Sequence, residues 1–397
     1  MPTDLSARVN RPYLPESGGG ITCELTIEPA TSESSGTPAS PEDPAERHIV
    51  LCIDSSESMA YNDKMEQARD ATELVFGLLN DDDYLSIVTF DQTVEVLLGA
   101  TRWGDIARDD AETSLDEIET AGGTDIYAAL ETAEDTLTSL PDGDGISKRV
   151  LLLSDGRDLR ANAPDFEPLA KDISEGGISI YSAGIGTNYG KDIIRTLGEF
   201  AQGRWAHVEN PVDIRSFFGD VVQEASTVLA NNPRLVLETA DGVEIGQAFR
   251  RLPQVQQIPL EAEDGATIVG LPDLQDRERQ QIVVEIDAPP RAVGTEEKLV
   301  DVALDAGSNS AETSIEITYS DDESELAIHD EDVTVAYHDT DLRTRIAHAD
   351  SEDELDEVRQ QIDETEVITG EKEIADALRE NVTRIEEGDE SEARKVQ

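Results

Sequence analysis

The stretch that decides the fold is HIVLCIDSSESMAY, which runs from His48 to Tyr61. It opens with an unbroken apolar run, Ile49 to Ile53, of the kind that forms a strand buried on both faces of a sheet. Oxygen-bearing side chains then occupy alternate positions, at Asp54, Ser56 and Ser58. Short oxygen ligands at the end of a stiff strand suit a divalent cation, so the stretch predicts a metal site where a core strand ends.

Around this stretch, residues 48–230 alternate short apolar runs with segments of helical periodicity. The predicted strands are 48–53, 84–90, 93–98, 149–154, 178–185 and 204–208. The predicted helices are 63–79, 105–119, 125–139, 164–175, 190–201 and 211–229. Strands that alternate with helices predict an α/β domain with a doubly wound, mostly parallel sheet covered on both faces. The short gap between the second and third strands favours a hairpin and an antiparallel edge strand.

The segments that flank this domain differ from it in composition. Residues 1–20 are polar and rich in Pro and Gly, and we expect them to be disordered, whereas residues 31–47 have the composition of a linker. Between them, residues 21–30 contain one strand of alternating polarity. Residues 231–320 contain several such strands and predict a β-sandwich. Because a lone strand is unstable, we expect the strand in 21–30 to complete that sandwich, with the α/β domain inserted into it.

The final segment, residues 321–397, is strongly acidic but keeps the helical spacing of apolar residues. Two helical faces can be traced, formed by Leu355, Val358 and Ile362 and then by Ile374, Leu378, Val382 and Ile385. The sequence VITGEKE separates the two faces. We therefore predict an acidic, helical C-terminal region with a pair of short helices.

The charge balance is the outstanding feature of the composition, with 88 acidic residues against 31 basic ones and a net charge of −57. The acidic residues are spread along the whole chain, which favours an adaptation of the entire surface over one functional acidic patch. At about 1 M salt the Debye length falls to ~3 Å and such self-repulsion becomes tolerable, so we expect a halophilic source. A surface of this sign disfavours nucleic acid and anionic membranes as partners.

The apolar segments and the cysteines indicate in which cellular compartment we expect the protein. No apolar stretch approaches the roughly 18–20 residues that span a bilayer, and residues 1–20 contain no apolar signal core. We expect no membrane insertion and a cytoplasmic location. Cys23 and Cys52 lie in apolar strand patterns, which favours buried free thiols over a disulfide or a metal site.

Two further loops place oxygen ligands where a strand ends or a helix begins. Thr124 follows a Gly-Gly turn before a predicted helix, and Asp155 follows a predicted strand directly. If the strands, numbered along the chain, have the order 3-2-1-4-5-6, Asp54 and Asp155 leave neighbouring strands where the order reverses, which is where α/β sheets bind ligands. Two carboxylates and three hydroxyls suit Mg²⁺, with Mn²⁺ or Ca²⁺ as alternatives, and leave one position open to an anionic oxygen. Taken singly, Asp54 and Asp155 also suit helix N-caps.

The order Asp-x-Ser-x-Ser, loop Thr and strand-end Asp resembles the von Willebrand factor A family and its metal-ion-dependent adhesion site, over about residues 48–230. The resemblance implies a Rossmann-like fold for this domain. It also implies a divalent cation held by Asp54, Ser56, Ser58, Thr124 and Asp155. Many members have Gly where this chain has Glu57, so Glu57 either faces solvent or reaches over the metal.

The resemblance further implies a protein-binding module, in which the cation accepts a Glu or Asp carboxylate of a partner protein. Intracellular members often serve multiprotein assemblies, and AAA-type ATPases are among the partners that the resemblance implies. Two alternatives use the same site: a metal-assisted hydrolase with Glu57 as its base, and a metal that only stabilises the fold. The sequence contains no HxxxH or HExxH spacing that would favour a catalytic metal centre.

Overall fold

The computed structural model describes residues 3–386 except 30–45, 142, 144–145, 156–157, 159, 187–189, 209–210, 264 and 350. The predicted linker, residues 31–47, therefore lies almost wholly outside the described residues. The chain divides into two compact units. The α/β unit contains residues 37–232 and 272–276, and the β-rich unit contains residues 1–36, 233–271 and 277–397.

The elements follow one another in this order along the chain. The first strands are β1 (Asp4–Val9), β2 (Tyr13–Leu14) and β3 (Gly19–Glu28). The strands of the α/β domain are β4 (Arg47–Asp54), β5 (Tyr84–Phe90), β6 (Val94–Arg102), β7 (Ser147–Ser154), β8 (Ile178–Ile185) and β9 (Arg204–Val208). Its α-helices are α1 (Lys64–Phe76), α2 (Arg108–Asp116), α3 (Ile126–Thr138), α4 (Ala163–Glu175), α5 (Lys191–Phe200) and α6 (Pro211–Glu224).

The later part of the chain is built from short strands and then from helices. Its strands are β10 (Val228–Ala230), β11 (Arg234–Thr239), β12 (Glu244–Leu252), β13 (Gln256–Ile258), β14 (Leu260–Glu263), β15 (Ala266–Gly270), β16 (Leu274–Gln275), β17 (Gln280–Ala288), β18 (Glu296–Asp305) and β19 (Ala311–Tyr319). Its helices are α7 (Glu323–Leu326), α8 (Glu331–His348), α9 (Glu352–Thr369) and α10 (Lys372–Glu386).

The central sheet of the α/β unit has the order β6-β5-β4-β7-β8-β9, in which β6 is antiparallel to β5 and the other neighbours are parallel. This confirms the predicted strand order and the hairpin between β5 and β6. Ile49, Leu51 and Ile53 of β4 pack in one core with residues of α1 and α6. Val50 and Cys52 pack in a second core with residues of α3, α4 and α5. Because β4 is buried on both faces, it needs the unbroken apolar run seen in the sequence.

Two mostly antiparallel sheets form the frame of the β-rich unit. One has the order β1-β3-β17-β12-β13, and the other has the order β14-β15-β11-β18-β19-β2, with the short β2 parallel to β19. Strand β3 pairs with β17 from Gly19 opposite Ala288 to Ile27 opposite Gln280. The strand predicted within residues 21–30 therefore joins a sheet made of later residues, and the α/β domain is inserted in the chain between β3 and β11.

The prediction that residues 1–20 are disordered is wrong. Strand β1 pairs antiparallel with β3 along its whole length, and Leu5 is buried. Pro12, Pro15 and Gly18 lie in the turns between these strands. One such turn is closed by the N–H of Gly18, which donates to the carbonyl oxygen of Pro15 at 2.9 Å. In this segment the many turn residues connect short strands that lie close together in the sequence. These strands are ordered because each pairs with another strand of a sheet.

The substitution Gly18→Ala tests whether this N-terminal segment is held in place. Gly18 has a φ of +70°, and a Cβ there would lie 2.2 Å from the carbonyl oxygen of Ala288 on β17. We expect urea unfolding to show a loss of about 2 kcal/mol. Gly20→Ala is the matched control, since its Cβ would approach an oxygen of Asp287 only to 3.4 Å. Equal stabilities of the two variants would contradict the ordered N-terminus.

The helices of the C-terminal region pack on one another and on a sheet of the β-rich unit. Helices α9 and α10 carry the two predicted apolar faces, and with the end of α8 they enclose one core, formed by Leu342, Ile346, Ala349, Leu355, Val358, Ile362, Ala375, Leu378, Val382 and Ile385. The prediction of a helix pair omitted α8, whose Tyr337 contacts Phe249 of β12 with ring centroids 5.8 Å apart. Its periodicity is blurred because its buried face includes the polar residues Thr334, Thr340 and Thr344. Across the described residues, no helix is both long and apolar enough to cross a membrane.

Both cysteines are free and buried, as predicted. Cys23 lies in β3 and Cys52 in β4, the central strand of the α/β unit. Burial raises the pKa of each thiol to about 12, so both stay protonated at neutral pH. A buried, protonated thiol is a poor nucleophile and a poor metal ligand, and the two cysteines serve as small core residues.

Candidate metal centre

Asp54 is the last residue of β4 and lies at the point where the strand order of the central sheet reverses. Strand β7, which lies beside β4 in the sheet, ends at Ser154. The Oδ1 atom of Asp54 accepts a hydrogen bond from the N–H of Ser56 at 2.8 Å, and its Oδ2 atom accepts one from the hydroxyl of Ser154 at 2.5 Å. The carboxylate is fully buried, and burial raises its pKa to about 6, although the hydrogen bonds from Ser154 and Ser56 oppose the shift.

The two serines of the Asp-x-Ser-x-Ser stretch point their hydroxyls toward each other. The Oγ atoms of Ser56 and Ser58 are 2.9 Å apart. Ser56 is buried and precedes one turn of 3₁₀ helix, Glu57–Ala60, which includes Ser58. Glu57 lies between them and is exposed. The turn therefore directs two hydroxyl oxygens to one side and leaves the intervening Glu57 side chain accessible to solvent.

Thr124 reaches the same region through a loop that is hydrogen bonded to the turn after β4. The N–H of Ala121 donates to the carbonyl oxygen of Ser55 at 2.9 Å, and the N–H of Glu57 donates to the carbonyl oxygen of Gly122 at 3.3 Å. Gly122 has a φ of +68°, a conformation that favours glycine. Thr124 itself is buried. The backbone thus brings the Thr124 loop beside the loop that carries the two serines.

The helix N-caps in this region are residues other than Asp54 and Asp155. Helix α3 is capped by Asp125, whose Oδ1 accepts a hydrogen bond from the N–H of Ala128 at 3.1 Å. The residue before α1 is Asp63, and the residue before α4 is Asn162. The capping alternative for Asp54 and Asp155 is therefore wrong.

Asp155 follows β7 directly and is buried, with two oxygens in different surroundings. Its Oδ2 atom is 3.2 Å from the Nζ atom of Lys64, the first residue of α1. Its Oδ1 atom is buried and has no hydrogen-bond partner among the described residues. Buried carboxylate oxygens are normally satisfied, so the Oδ1 atom is expected to have a partner beyond the described residues.

Lys64 is a residue of this region that our sequence reasoning missed. Its side chain is 14% exposed, and its stem lies against Gly186, where a Cβ would be 3.1 Å from the Cε atom of Lys64. A signal was present in the sequence, because a lysine in the first turn of a helix opposes the helix dipole. In a chain with few basic residues, such a lysine indicates a specific negative partner.

Asp158 and Arg160 support the site from the loop after β7, and the sequence gives no motif for either. The Oδ2 atom of Asp158 accepts a hydrogen bond from the N–H of Ile126 at 2.7 Å, at the start of α3. Arg160 lies 2.7 Å from the carboxylate of Asp125. These contacts join the loop that follows Asp155 to the helix that follows Thr124.

The donor set of the candidate site fits a hard divalent cation. It combines two buried carboxylates with hydroxyl oxygens and contains no His or Cys, which excludes the ligand types that zinc and copper prefer. Within the described ranges, no group of three or more His, Cys, Asp or Glu side chains is placed to hold a metal. Among the described residues, hydroxyl oxygens are therefore the donors that could complement the two carboxylates at this site.

The sequence pattern of the von Willebrand factor type A domain matches residues 49–157, from β4 to the loop after β7. A second pattern of the same description matches residues 328–395. The described part of that second match lies mostly in α8, α9 and α10, outside the central sheet.

Curated relatives match this chain at low identity. An uncharacterized protein of Synechocystis sp. is 23% identical over 236 residues, which are 58% of this chain and 55% of that protein. An inter-alpha-trypsin inhibitor heavy chain of Mus musculus is 28% identical over 217 residues, which are 52% of this chain and 22% of that protein. The chain thus spans about half the length of the first relative and less than a quarter of the second.

Solved structures match nearly the whole chain. A von Willebrand factor type A protein from Catenulispora acidiphila has a TM-score of 0.78 at 17% identity and covers 95% of this chain and 89% of its own. A paralogue of ArnB from Sulfolobus acidocaldarius has a TM-score of 0.64 at 18% identity and covers 96% of this chain and 93% of its own. At these identities the likeness establishes the fold.

Proposed function

We propose that this chain, whose residues 49–157 match the von Willebrand factor type A domain, is a metal-dependent protein-binding module. In this proposal a divalent cation, with Mg²⁺ as the first candidate and Mn²⁺ or Ca²⁺ as alternatives, is held by Asp54, Ser56, Ser58, Thr124 and Asp155. One coordination position stays open for a Glu or Asp carboxylate of a partner protein. Domains of this family commonly mediate protein–protein interactions, which supports this class of function.

The observation that carries the proposal is the Oδ1 atom of Asp155, which is buried without a hydrogen-bond partner among the described residues. An unsatisfied buried acceptor costs about 1–3 kcal/mol, more when it is charged. Asp54 adds to this cost, because burial raises the pKa of its carboxyl to about 6. The burial of two neighbouring carboxylates, despite this cost, is explained if their negative charges hold a cation.

The charge of the chain bears on the kind of partner. With a net charge of −57, the chain repels other acidic proteins at low salt. We propose a halophilic source and a cytoplasmic location, where concentrated salt screens that repulsion beyond ~3 Å at about 1 M. A bond between the cation and a carboxylate forms at contact distance, so it persists in salt. AAA-type ATPases are among the candidate partners.

We propose that the site binds its partner without catalysing a reaction. A metal-assisted hydrolase needs a general base beside the cation. Glu57 is the carboxylate adjacent to the two serines, and its side chain is exposed. A base that faces bulk solvent is poorly placed to activate a metal-bound water, which favours the binding function.

We further propose that the two sheets of the β-rich unit pack as a β-sandwich, with the acidic helices as an accessory layer. Strands β1 and β19, which belong to different sheets, are in contact. Leu25 of β3 and Val302 of β18 are fully buried, as inward-facing residues of a sandwich are.

The substitution Thr124→Val tests the binding function, because it removes a hydroxyl and keeps the volume and branching of the side chain. We expect capture of partner proteins from native lysate at high salt to fall at least about tenfold, with unchanged thermal unfolding in chelator. The matched control is Thr132→Val on α3, whose hydroxyl donates to the carbonyl oxygen of Ala128 within its own helix at 2.8 Å.

Chelator provides the second arm of this experiment. We expect the wild-type protein to lose its captured partners in chelator. Recovery of the same proteins with and without chelator would contradict the proposal. If chelator lowers the thermal stability but leaves capture unchanged, the metal is structural only.

A further inference from the structure

We infer that Lys64 is a built-in counter-ion that stands in for the cation at Asp155 and lowers the affinity of the site for divalent ions. This inference rests on the proposed function and concerns how that site is regulated. Its starting observation is the ion pair between the Nζ atom of Lys64 and the Oδ2 atom of Asp155, 3.2 Å apart. The carboxylate is 4% exposed and the lysine side chain 14% exposed, so the pair is largely shielded from water.

The position of Lys64 is built into the fold. Gly186, directly after β8, has a φ of +85°, and a Cβ there would lie 3.1 Å from the Cε atom and 3.6 Å from the Nζ atom of Lys64. A side chain at Gly186 would therefore crowd the end of the Lys64 side chain, which lies directly against this glycine. Because Lys64 is also the first residue of α1, its charge is unfavourable toward the helix dipole, and Asp155 supplies the compensating attraction.

The two oxygens of Asp155 divide between two roles. Oδ2 accepts a hydrogen bond from the ammonium group of Lys64, while Oδ1 has no hydrogen-bond partner among the described residues. A cation at Oδ1 would share the carboxylate with the ammonium group or displace it. Either outcome weakens cation binding, since like charges repel at such short range and the ion pair is lost on displacement.

The net charge of the site also indicates that Lys64 weakens cation binding. Asp54, Asp155 and Lys64 together carry one net negative charge when all are ionised, and removal of the lysine charge leaves two. A neighbouring opposite charge within ~4–6 Å changes the binding of a proton by about tenfold to a thousandfold. We therefore expect Lys64→Met to tighten cation binding by about tenfold to a hundredfold.

Lys64 also replaces part of what the cation does for the fold. Without a cation, its ammonium group reduces the repulsion between two buried carboxylates. Loss of that group should lower the unfolding temperature of the protein in chelator. It should also increase the rise in unfolding temperature that a saturating cation produces, because the cation then neutralises a more negative site.

The test is a titration of the full chain with Mn²⁺, followed by the paramagnetic resonance of free Mn²⁺ at constant high ionic strength. The variants are Lys64→Met, Lys64→Arg and Asp155→Asn. The matched control is Lys171→Met on α4, whose ammonium group lies 5.3 Å from the ring centroid of Phe200. We expect tighter binding for Lys64→Met, affinities near wild type for Lys64→Arg and Lys171→Met, and loss of binding for Asp155→Asn.

The outcomes separate this inference from the proposed function. If the wild type binds Mn²⁺ through Asp155 and Lys64→Met binds it equally or more weakly, the inference is overturned and the proposed function stands. If only Lys64→Met binds Mn²⁺, the inference is supported in its strongest form. If neither protein binds Mn²⁺, both fail. An unfolding temperature in chelator that does not fall for Lys64→Met also overturns the counter-ion role.

Discussion

Replacing Arg149 with Met is expected to lower the free energy of unfolding by about 3–5 kcal/mol. Arg149 lies in β7 and is fully buried. Its Nη2 atom donates to the Oδ2 atom of Asp273 at 2.9 Å, and its Nη1 atom donates to the carbonyl oxygen of Val221 at 2.5 Å. Its Nε atom donates to the hydroxyl of Ser147 at 2.9 Å. The guanidinium group also lies 4.9 Å from the ring centroid of Tyr181.

The expected loss comes from the charge that the substitution leaves behind. Asp273 is buried, and its Oδ1 atom accepts a hydrogen bond from the N–H of Asn232 at 3.2 Å. Met fills the space of the arginine stem, but the buried carboxylate then loses the guanidinium charge beside it, and removing one partner of a buried ion pair is costly. The pair also joins β7, which delivers Asp155 to the candidate site, to residues 272–276 and to the last turn of α6 through Val221.

Denaturant unfolding at high salt measures this effect, with Arg160→Met as the matched control. The Arg160 side chain is 68% exposed in its ion pair with Asp125, so its loss should cost less than about 1 kcal/mol. Adding Asp273→Asn to Arg149→Met also removes the carboxylate charge of the pair, and we expect it to recover at least half of the loss. Similar costs for Arg149→Met and Arg160→Met would refute the buried-pair explanation.

The second large effect is expected for Asp54→Asn, which should weaken cation binding by about a hundredfold or more and stabilise the protein in chelator. Asparagine has the size of aspartate, and its amide oxygen can still accept the hydrogen bond from the N–H of Ser56. It lacks the negative charge that a hard divalent cation requires. The substitution therefore separates what the Asp54 carboxylate does for the cation from what it does for the fold.

The stabilisation in chelator has a defined pH dependence. Burial raises the pKa of Asp54 from 3.8 to about 6 in the folded protein. A folded-state pKa above the unfolded value means that the ionised carboxylate costs stability above about pH 6. That cost disappears as the pH falls through about 6 toward 3.8. Since one pKa unit corresponds to 1.36 kcal/mol, Asp54→Asn should be more stable than wild type by about 3 kcal/mol at pH 8 and no more stable near pH 4.

Unfolding in chelator at the two pH values, and again with excess Mg²⁺ at pH 8, measures both effects. We expect Mg²⁺ to stabilise the wild-type protein and to leave Asp54→Asn unchanged. A variant that is less stable than wild type in chelator at pH 8 would mean that the ionised Asp54 holds the fold together. The cation would then not be the reason for its burial.

The α/β domain and the placement of the candidate site residues at the ends of its strands could be predicted because their signals are local. A central parallel strand is buried on both faces, so β4 and β7 appear as unbroken apolar runs in the sequence. The residues that follow such strands lie at one edge of the sheet, which made Asp54 and Asp155 neighbours as soon as the strand order was known. The Asp-x-Ser-x-Ser spacing and the Gly-Gly turn before Thr124 indicated the other candidate residues.

What could not be predicted depends on contacts between distant residues. The Lys64–Asp155 pair joins the start of α1 to the end of β7, and the Arg149–Asp273 pair joins β7 to a segment far along the chain. Strand β1 is short and has no strong local preference for a strand in its sequence. It is ordered because it pairs with β3. Helix α8 was missed for a related reason, because it buries threonines as well as apolar residues.

Diffraction from crystals grown with Mn²⁺, recorded where manganese scatters anomalously, tests the central claim most directly. The account predicts an anomalous peak at about 2 Å from the hydroxyls of Ser56 and Ser58. It also predicts that Asp155 contacts this ion or one of its waters, and that the peak is missing in Asp155→Asn. Wild-type crystals with Mn²⁺ in the solution and no anomalous peak beside these residues would contradict it.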